Sequence, residues 1–219
     1  MAAGLTQGIE LDPEAPAYWH EACEALALQS PVWVDLIQRH SDRALRSRGA
    51  PFETMFRSLV GQQISVKAAD AVWARVVDAL NGSITSQALL ALSDDSLKAT
   101  GLSRQKIAYS RALSEFEQNG LLTIKLLDCM DDEACTRHLC EIKGVGRWTA
   151  QMFLMFCLRR PNVWPVDDIG VQRGISRQFF EGEPIGPKEA LQFGEKLKPW
   201  RTVAAWYLWR SLDPAVVDY

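Results

Sequence analysis

The sequence predicts an all-α protein, on three observations. Apolar residues recur at helical spacing through most of the chain, as in Ala150, Phe153, Leu154, Cys157 and Leu158. Strict apolar–polar alternation, the mark of a half-buried strand, never lasts more than a few positions. The breaks fall at residues that start or stop helices, such as Asn81-Gly82, Asn119-Gly120 and Pro187. With 219 residues, 47% hydrophobic and 23% charged, the chain can bury a real core as one domain or two closely packed lobes.

Taken in order, Met1 to Leu11 has no periodic pattern and reads as a mobile lead-in. Pro13 to Leu28 reads as a helix with Trp19, Cys23, Leu26 and Ala27 on one side. Val32 to Ile37 reads as a short helix, broken by the polar run His40 to Arg48. Pro51 to Leu80 carries two stripes: Met55, Phe56, Leu59 and Val60, then Ala69, Val72, Trp73, Val76, Val77 and Leu80. Ser86 to Leu92 and Ser93 to Thr100 are short helices, with Gly101 placed to cap the second. Ser103 starts a longer helix with Tyr109, Ala112, Leu113 and Phe116 on one face, and Leu121 to Leu127 follows as helix or loop. Asp132 to Glu141 suits a short helix before the tight turn Lys143-Gly144-Val145-Gly146. Gln172 to Phe180 is helical, Gly182 to Pro187 a loop, and Val203 to Ser211 a final helix rich in aromatics. Trp19, Trp33, Trp206 and Trp209 are most simply core residues.

Bulk properties narrow the function. No run approaches the length of a membrane span, and residues 1–12 lack the charged start and apolar core of a signal peptide. Five cysteines, odd in number and without CxxC spacing, fit reduced thiols and a cytoplasmic protein. The net charge of −3 argues against general DNA adhesion. Between Arg137 and Arg177, however, seven basic residues face three acidic ones, a local excess of +4 able to grip a few phosphates.

The chemistry concentrates between Leu139 and Ile175. Glycine permits positive φ and close backbone approach, so Gly144 and Gly146 can aim amides outward at one point. That point is the positive end of the following helix, a seat for phosphate. Beyond the helix lie Arg159-Arg160-Pro161 and then Trp164-Pro165-Val166-Asp167-Asp168, two carboxylates on a proline-stiffened loop.

Together, the hairpin glycines, Trp148 directly after Gly146-Arg147, and a loop Asp twenty residues beyond Trp148 resemble the helix-hairpin-helix (HhH-GPD) DNA glycosylases. Within that superfamily the chain looks like the AlkA-type 3-methyladenine enzymes in a compact, all-helical form. Longer members carry an extra β-rich N-terminal lobe, and a further aromatic where this sequence has Met152. The resemblance spans roughly Phe52 to Leu212 and includes Gly61-Gln62-Gln63-Ile64-Ser65 and Lys198-Pro199-Trp200-Arg201. It implies two helical lobes: 51–150, ending in a helix-hairpin-helix over about 132–158, and 1–50 with 159–219, packed across an active-site cleft.

The resemblance also implies roles. Asp168 is the catalytic carboxylate, because the family's essential Asp precedes an aliphatic-rich helix start, here Ile169-Gly170-Val171. Asp167 is then an N-cap or a contact to the hairpin helix. Trp148 and Trp200 become walls of the base pocket, and Gly144, Gly146, Arg147 and Thr149 grip the DNA backbone. Gln62, Gln63, Ile64 and Ser65 form an intercalating loop, with Gln63 or Ile64 as the wedge and Ser65 placed to touch backbone. The same glutamines also suit a helix kink, satisfying buried backbone groups. Gly101-Leu102-Ser103, Lys106 and Tyr109 resemble the family too and read as scaffold. Carbonyls of Cys140, Ile142 and Val145 would hold a monovalent cation, Na⁺ or K⁺.

The expected activity is base excision from duplex DNA containing alkylated purines, by a monomer with no required cofactor. Bifunctional relatives place a lysine where this chain has Trp148, so no Schiff base and no strand cleavage are expected. Iron–sulfur relatives carry four cysteines near the C-terminus, whereas here none follows Cys157. The rival expectations are a glycosylase for deaminated or oxidised bases and a non-catalytic helix-hairpin-helix DNA-binding protein.

Overall fold

A computed structural model describes Asp12, residues 15–47 and residues 49–212. The lead-in Met1 to Leu11 lies outside the described residues. Among those described there are thirteen helices and no strand. The chain divides into two compact units, one spanning Arg48–Leu158 and the other combining Met1–Ser47 with Arg159–Tyr219.

The second of these begins with α1 (Trp19–Ala27) and α2 (Pro31–Arg39). The first helix starts later than the apolar pattern predicts, because the chain before it forms turns, with the Trp19 amide bonded to the Pro16 carbonyl at 2.8 Å. The run after α2 is not simply polar, since Ala44 and Leu45 are buried in it.

The Arg48–Leu158 unit follows, with α3 (Pro51–Gly61), α4 (Val66–Ala79), α5 (Ser86–Ala91), α6 (Asp94–Ala99), α7 (Arg104–Gln118), α8 (Ile124–Asp128), α9 (Asp132–Leu139) and α10 (Arg147–Phe156). Helix α3 is its centre and packs against α4, α7 and α10. Its Met55, Phe56 and Leu59 are fully buried, as the stripe predicts. On α7 the buried positions are Ile107, Ser110, Leu113, Ser114 and Phe116, while Tyr109 and Ala112 stand at the rim.

The chain then returns to the other unit through α11 (Ile169–Phe179), α12 (Pro187–Glu195) and α13 (Arg201–Leu212). Residues Thr202 to Arg210 of α13 are all buried, so this helix is covered on every side. It packs on α1, α2 and α11, with Trp19 edge-on to Trp206 at 5.3 Å. A Cβ on Gly174 would lie 2.9 Å from the Leu208 carbonyl oxygen, so α11 and α13 approach through a missing methyl.

Helix starts are locally encoded. Ser65, Thr85, Ser93, Ser103, Thr123, Asp131 and Asp168 each accept the amide hydrogen three residues on. Each such cap stabilises its helix by about 1 kcal/mol. All five cysteines are free thiols, and burial pushes those of Cys23 and Cys157 up to about 11. Among the described residues no helix is long and apolar enough to cross a membrane.

Candidate functional site

The tight turn between α9 and α10 closes through a bond from the Val145 amide to the Ile142 carbonyl at 3.0 Å. Gly144 has φ +92°, and any Cβ there would collide with the Tyr109 ring, so both backbone and space demand glycine. Gly146 differs from the expectation for the pair. Its φ is −95°, open to any residue, and nothing lies within 4 Å of a built Cβ. Glycine at 146 therefore leaves bare space outside the backbone at the positive end of α10.

The first turn of α10 carries the other expected grips. Arg147 donates through both terminal nitrogens to Glu133 on α9, at 2.9 and 2.7 Å, and this bond holds the Glu133 carboxyl below its ordinary range. In this arrangement the guanidinium ties the two helices of the hairpin together. Trp148 is 38% exposed, unusual for an indole. Thr149 is buried, and its hydroxyl lies 3.4 Å from the Gln62 amide nitrogen.

The loop after α3 meets the hairpin directly. Gln62 donates to the Gly144 carbonyl at 3.0 Å, so its side chain turns toward the hairpin. Gln63 has φ +60°, which costs a non-glycine residue roughly 1–3 kcal/mol and singles out the turn. Ile64, next along, is 40% exposed, and Ser65 caps α4 through Ala68. Lys106 donates to the Val60 carbonyl at 2.6 Å, and burial lowers its ammonium pKa. Gln62, Gln63, Ile64, Lys106, Tyr109 and Gly144 line a cavity of about 470 Å³.

In the other unit, the loop before α11 presents the two carboxylates very differently. Asp168 is 7% exposed, and its Oδ1 accepts two hydrogen bonds, from the Val171 amide and the Trp209 indole, each at 2.8 Å. Asp168 is thus the N-cap of α11, which begins at Ile169. The expectation that Asp167 caps this helix is corrected: only Asp168 occupies the extended position from which a side chain reaches the Val171 amide, and Asp167 is exposed. A Cβ on Gly170 would stand 2.8 Å from the Trp209 ring and 3.0 Å from Asp168 Oδ1, so a side chain there would crowd the pair. Gln172 steadies the loop by donating to the Val166 carbonyl at 2.7 Å, and Trp164 by donating to Ala190 at 2.8 Å. Trp200, partly buried after a cis Lys198-Pro199 bond, stacks on Tyr18 with ring centres 6.0 Å apart.

Comparison with known proteins gives this arrangement a family. A model described as HhH-GPD superfamily base excision DNA repair protein matches residues 56–199. This chain is a member of the HhH-GPD superfamily. DNA-3-methyladenine glycosylase 1 of Schizosaccharomyces pombe is 30% identical over 183 residues, 81% of this chain and 79% of that one. The crystal structure of a DNA-3-methyladenine glycosidase from Bacillus halodurans matches with TM-score 0.80 and 33% identity, covering 88% of this chain and 89% of that one. A Schizosaccharomyces pombe 3-methyladenine DNA glycosylase solved in complex with abasic DNA matches with TM-score 0.79 and 28% identity, covering 91% and 98%. Some HhH-GPD relatives are longer: the chain spans 64% of a putative DNA-3-methyladenine glycosylase of Bacillus subtilis, at 28% identity over 81% of this chain.

For this HhH-GPD member, the structure brings Gln62, Gly144 and Thr149 together, and Asp168 together with Trp209. Two contacts, Asp168 with Trp209 and Tyr18 with Trp200, have no signal in the sequence. Trp209 reads as core and is buried, yet its indole nitrogen orients the carboxylate; Tyr18 falls in the helix read over Pro13 to Leu28 with no role of its own, yet it backs Trp200.

Proposed function

We propose that the protein is a monofunctional DNA glycosylase, which removes alkylated purines from duplex DNA and leaves an abasic site. The observation that carries this reading is Asp168, a buried carboxylate fixed through one oxygen by a helix amide and an indole. A carboxylate oriented in advance by two donors needs little reorganisation as positive charge develops, which is what stabilising a transient cation requires. An N3- or N7-alkylated purine carries positive charge and leaves readily, so the sugar becomes oxocarbenium-like as the bond opens. The carboxylate offsets that charge and orients or deprotonates the attacking water.

Trp148 and Trp200 are the indoles for the base, since a cationic purine over an indole gains roughly 0.5–2 kcal/mol. The exposure of Trp148 supports this, as does the stacking that holds Trp200. Gly146 and the first turn of α10 suit a phosphate, and Ile64, exposed beside the positive-φ Gln63, suits the wedge. Carbonyls of Cys140, Ile142 and Val145 are hard oxygen donors of the kind a Na⁺ or K⁺ ion takes, and such an ion would add positive charge toward phosphate. Ile142 also accepts from Val145 within the turn, which leaves its second lone pair for the ion. The protein would act as a monomer in the compartment that holds the DNA.

Incubating a methylated duplex with the protein and then heating in alkali tests the reading. Strand breaks at alkylated purines are expected, and their absence would reduce the protein to a DNA-binding role. Excision of hypoxanthine or oxidised purines with no preference for methylated DNA would favour the rival substrate class. Borohydride should trap no covalent complex, because Trp148 offers no amine.

A further inference from the structure

We propose that Gln62 is a positioning residue that locks the loop 62–65 to the hairpin, so that gripping the backbone and entering the duplex occur as one event. The inference rests on the reading of that loop as the element entering the duplex. Its evidence is a chain of contacts within the Arg48–Leu158 unit. Gln62 Nε2 donates to the Gly144 carbonyl at 3.0 Å and lies 3.4 Å from the Thr149 hydroxyl, so one amide touches both sides of the turn. The Tyr109 ring lies against Gly144, and Gln105 bonds its hydroxyl. Lys106, one helical turn before Ser110 on the same α7, donates to the Val60 carbonyl at the end of α3, where the loop departs. Ser65 closes the far end by capping α4.

The loop is thus pinned at Val60, Gly144 and Ser65, and only Gln63 and Ile64 stand out between the pins. A flexible loop would let Ile64 fold back onto apolar surface, because leaving such a side chain in water is unfavourable by up to about 1.5–3 kcal/mol. Holding it out at a turn with positive φ requires restraint on both sides, and the Gln62 bond supplies the restraint nearest the exposed pair. Because its acceptor is Gly144, the same bond transmits any shift of the hairpin to the loop.

The test uses the full chain and a duplex bearing one tetrahydrofuran abasic analogue beside 2-aminopurine, whose fluorescence rises when its stack is opened. Wild type should give a clear rise at saturation. Gln62→Met keeps length and removes the donor. It should lower that amplitude at least threefold, while binding to undamaged duplex and thermal stability change far less. Gln62→Glu can donate to the Gly144 carbonyl only when protonated. At pH 7.5, where an ordinary glutamate is ionised, its amplitude should therefore be as low as that of Gln62→Met. Parallel loss of duplex binding and stability in Gln62→Met would make the residue a structural prop of the hairpin and overturn the proposal. Unchanged amplitude, or no opening by wild type, would overturn it too. Excision plays no part in this readout. A wild type that opens the analogue duplex but releases no methylated base would sink the repair reading alone, and Ile64→Ala with full amplitude would sink the wedge assignment alone.

Discussion

The hairpin region and the carboxylate region, one in each compact unit, are built on opposite principles. Around the hairpin, the side chains that matter stand in water: Trp148 and Ile64 are exposed, Gly146 leaves open space, and Arg147 is held by a surface ion pair. At Asp168 the key groups are enclosed: the carboxylate and Trp209 are buried, and the neighbouring Gly170 leaves no room for a side chain. The difference separates two tasks. Recognition of a large polyanion needs exposed, adjustable groups, whereas charge stabilisation in a reaction needs one group that does not move.

The sharpest way to break this contrast is Asp168→Asn. Asparagine caps helices as well as aspartate does, so the fold and DNA binding should persist while excision falls by about a thousandfold or more. Single-turnover kinetics on methylated duplex, with circular dichroism as control, decide it; retained turnover, or loss only in Asp167→Asn, would transfer the role. Next in size is Trp209→Phe, which keeps an aromatic ring, though a smaller one, and removes the indole donor. It should lower kcat about ten- to hundredfold with KM nearly unchanged, since hydrogen bonds to charged groups are worth about 1.5–3 kcal/mol. Trp148→Ala should slow release of cationic bases by about tenfold, and a competing neutral base less, which a paired-substrate assay reads directly.

Smaller effects test the exposed side. Glu133→Gln removes a carboxylate from beside the helix start and releases Arg147 to a phosphate, so affinity for undamaged duplex should rise about two- to fivefold at low salt and converge with wild type at high salt. Fluorescence anisotropy across a salt series gives the answer. The smallest is a pH effect at His40. Burial comes first in lowering its pKa, with Arg210 and Arg39 adding and Asp42 and Asp35 opposing. The fold therefore prefers the neutral ring: stability is full above about pH 6.5–7 and is lost as pH falls toward the depressed pKa, where the unfolded chain binds a proton first. Urea midpoints should drop between pH 7.5 and 6 in wild type and much less in His40→Gln.

Most helices were legible because their caps and stripes are local. Ser103 and Thr123 announce starts within four residues, and Met55, Phe56 and Leu59 repeat at the spacing of the face they bury. Gly144 was legible for the same reason, as a turn residue between helical patterns. Asp167 and Asp168 were separable only through the family pattern, because adjacent residues of one type differ in backbone position, which composition does not encode. Trp209 and Tyr18 were hidden because their partners lie far along the chain; Trp209 meets a residue 41 positions away. An apolar stripe records that a face is covered, never which polar atom at its edge finds an acceptor.

The close approach at Gly174 carries a consequence for how this protein can change over generations. That residue sits six positions past Asp168 on the same rigid rod, roughly 9 Å along its axis. Adding a single carbon there would pry α11 off Leu208 and tilt its whole front end, acid group included. A lineage could therefore swap exposed side chains freely while this buried position stays closed to anything larger than glycine.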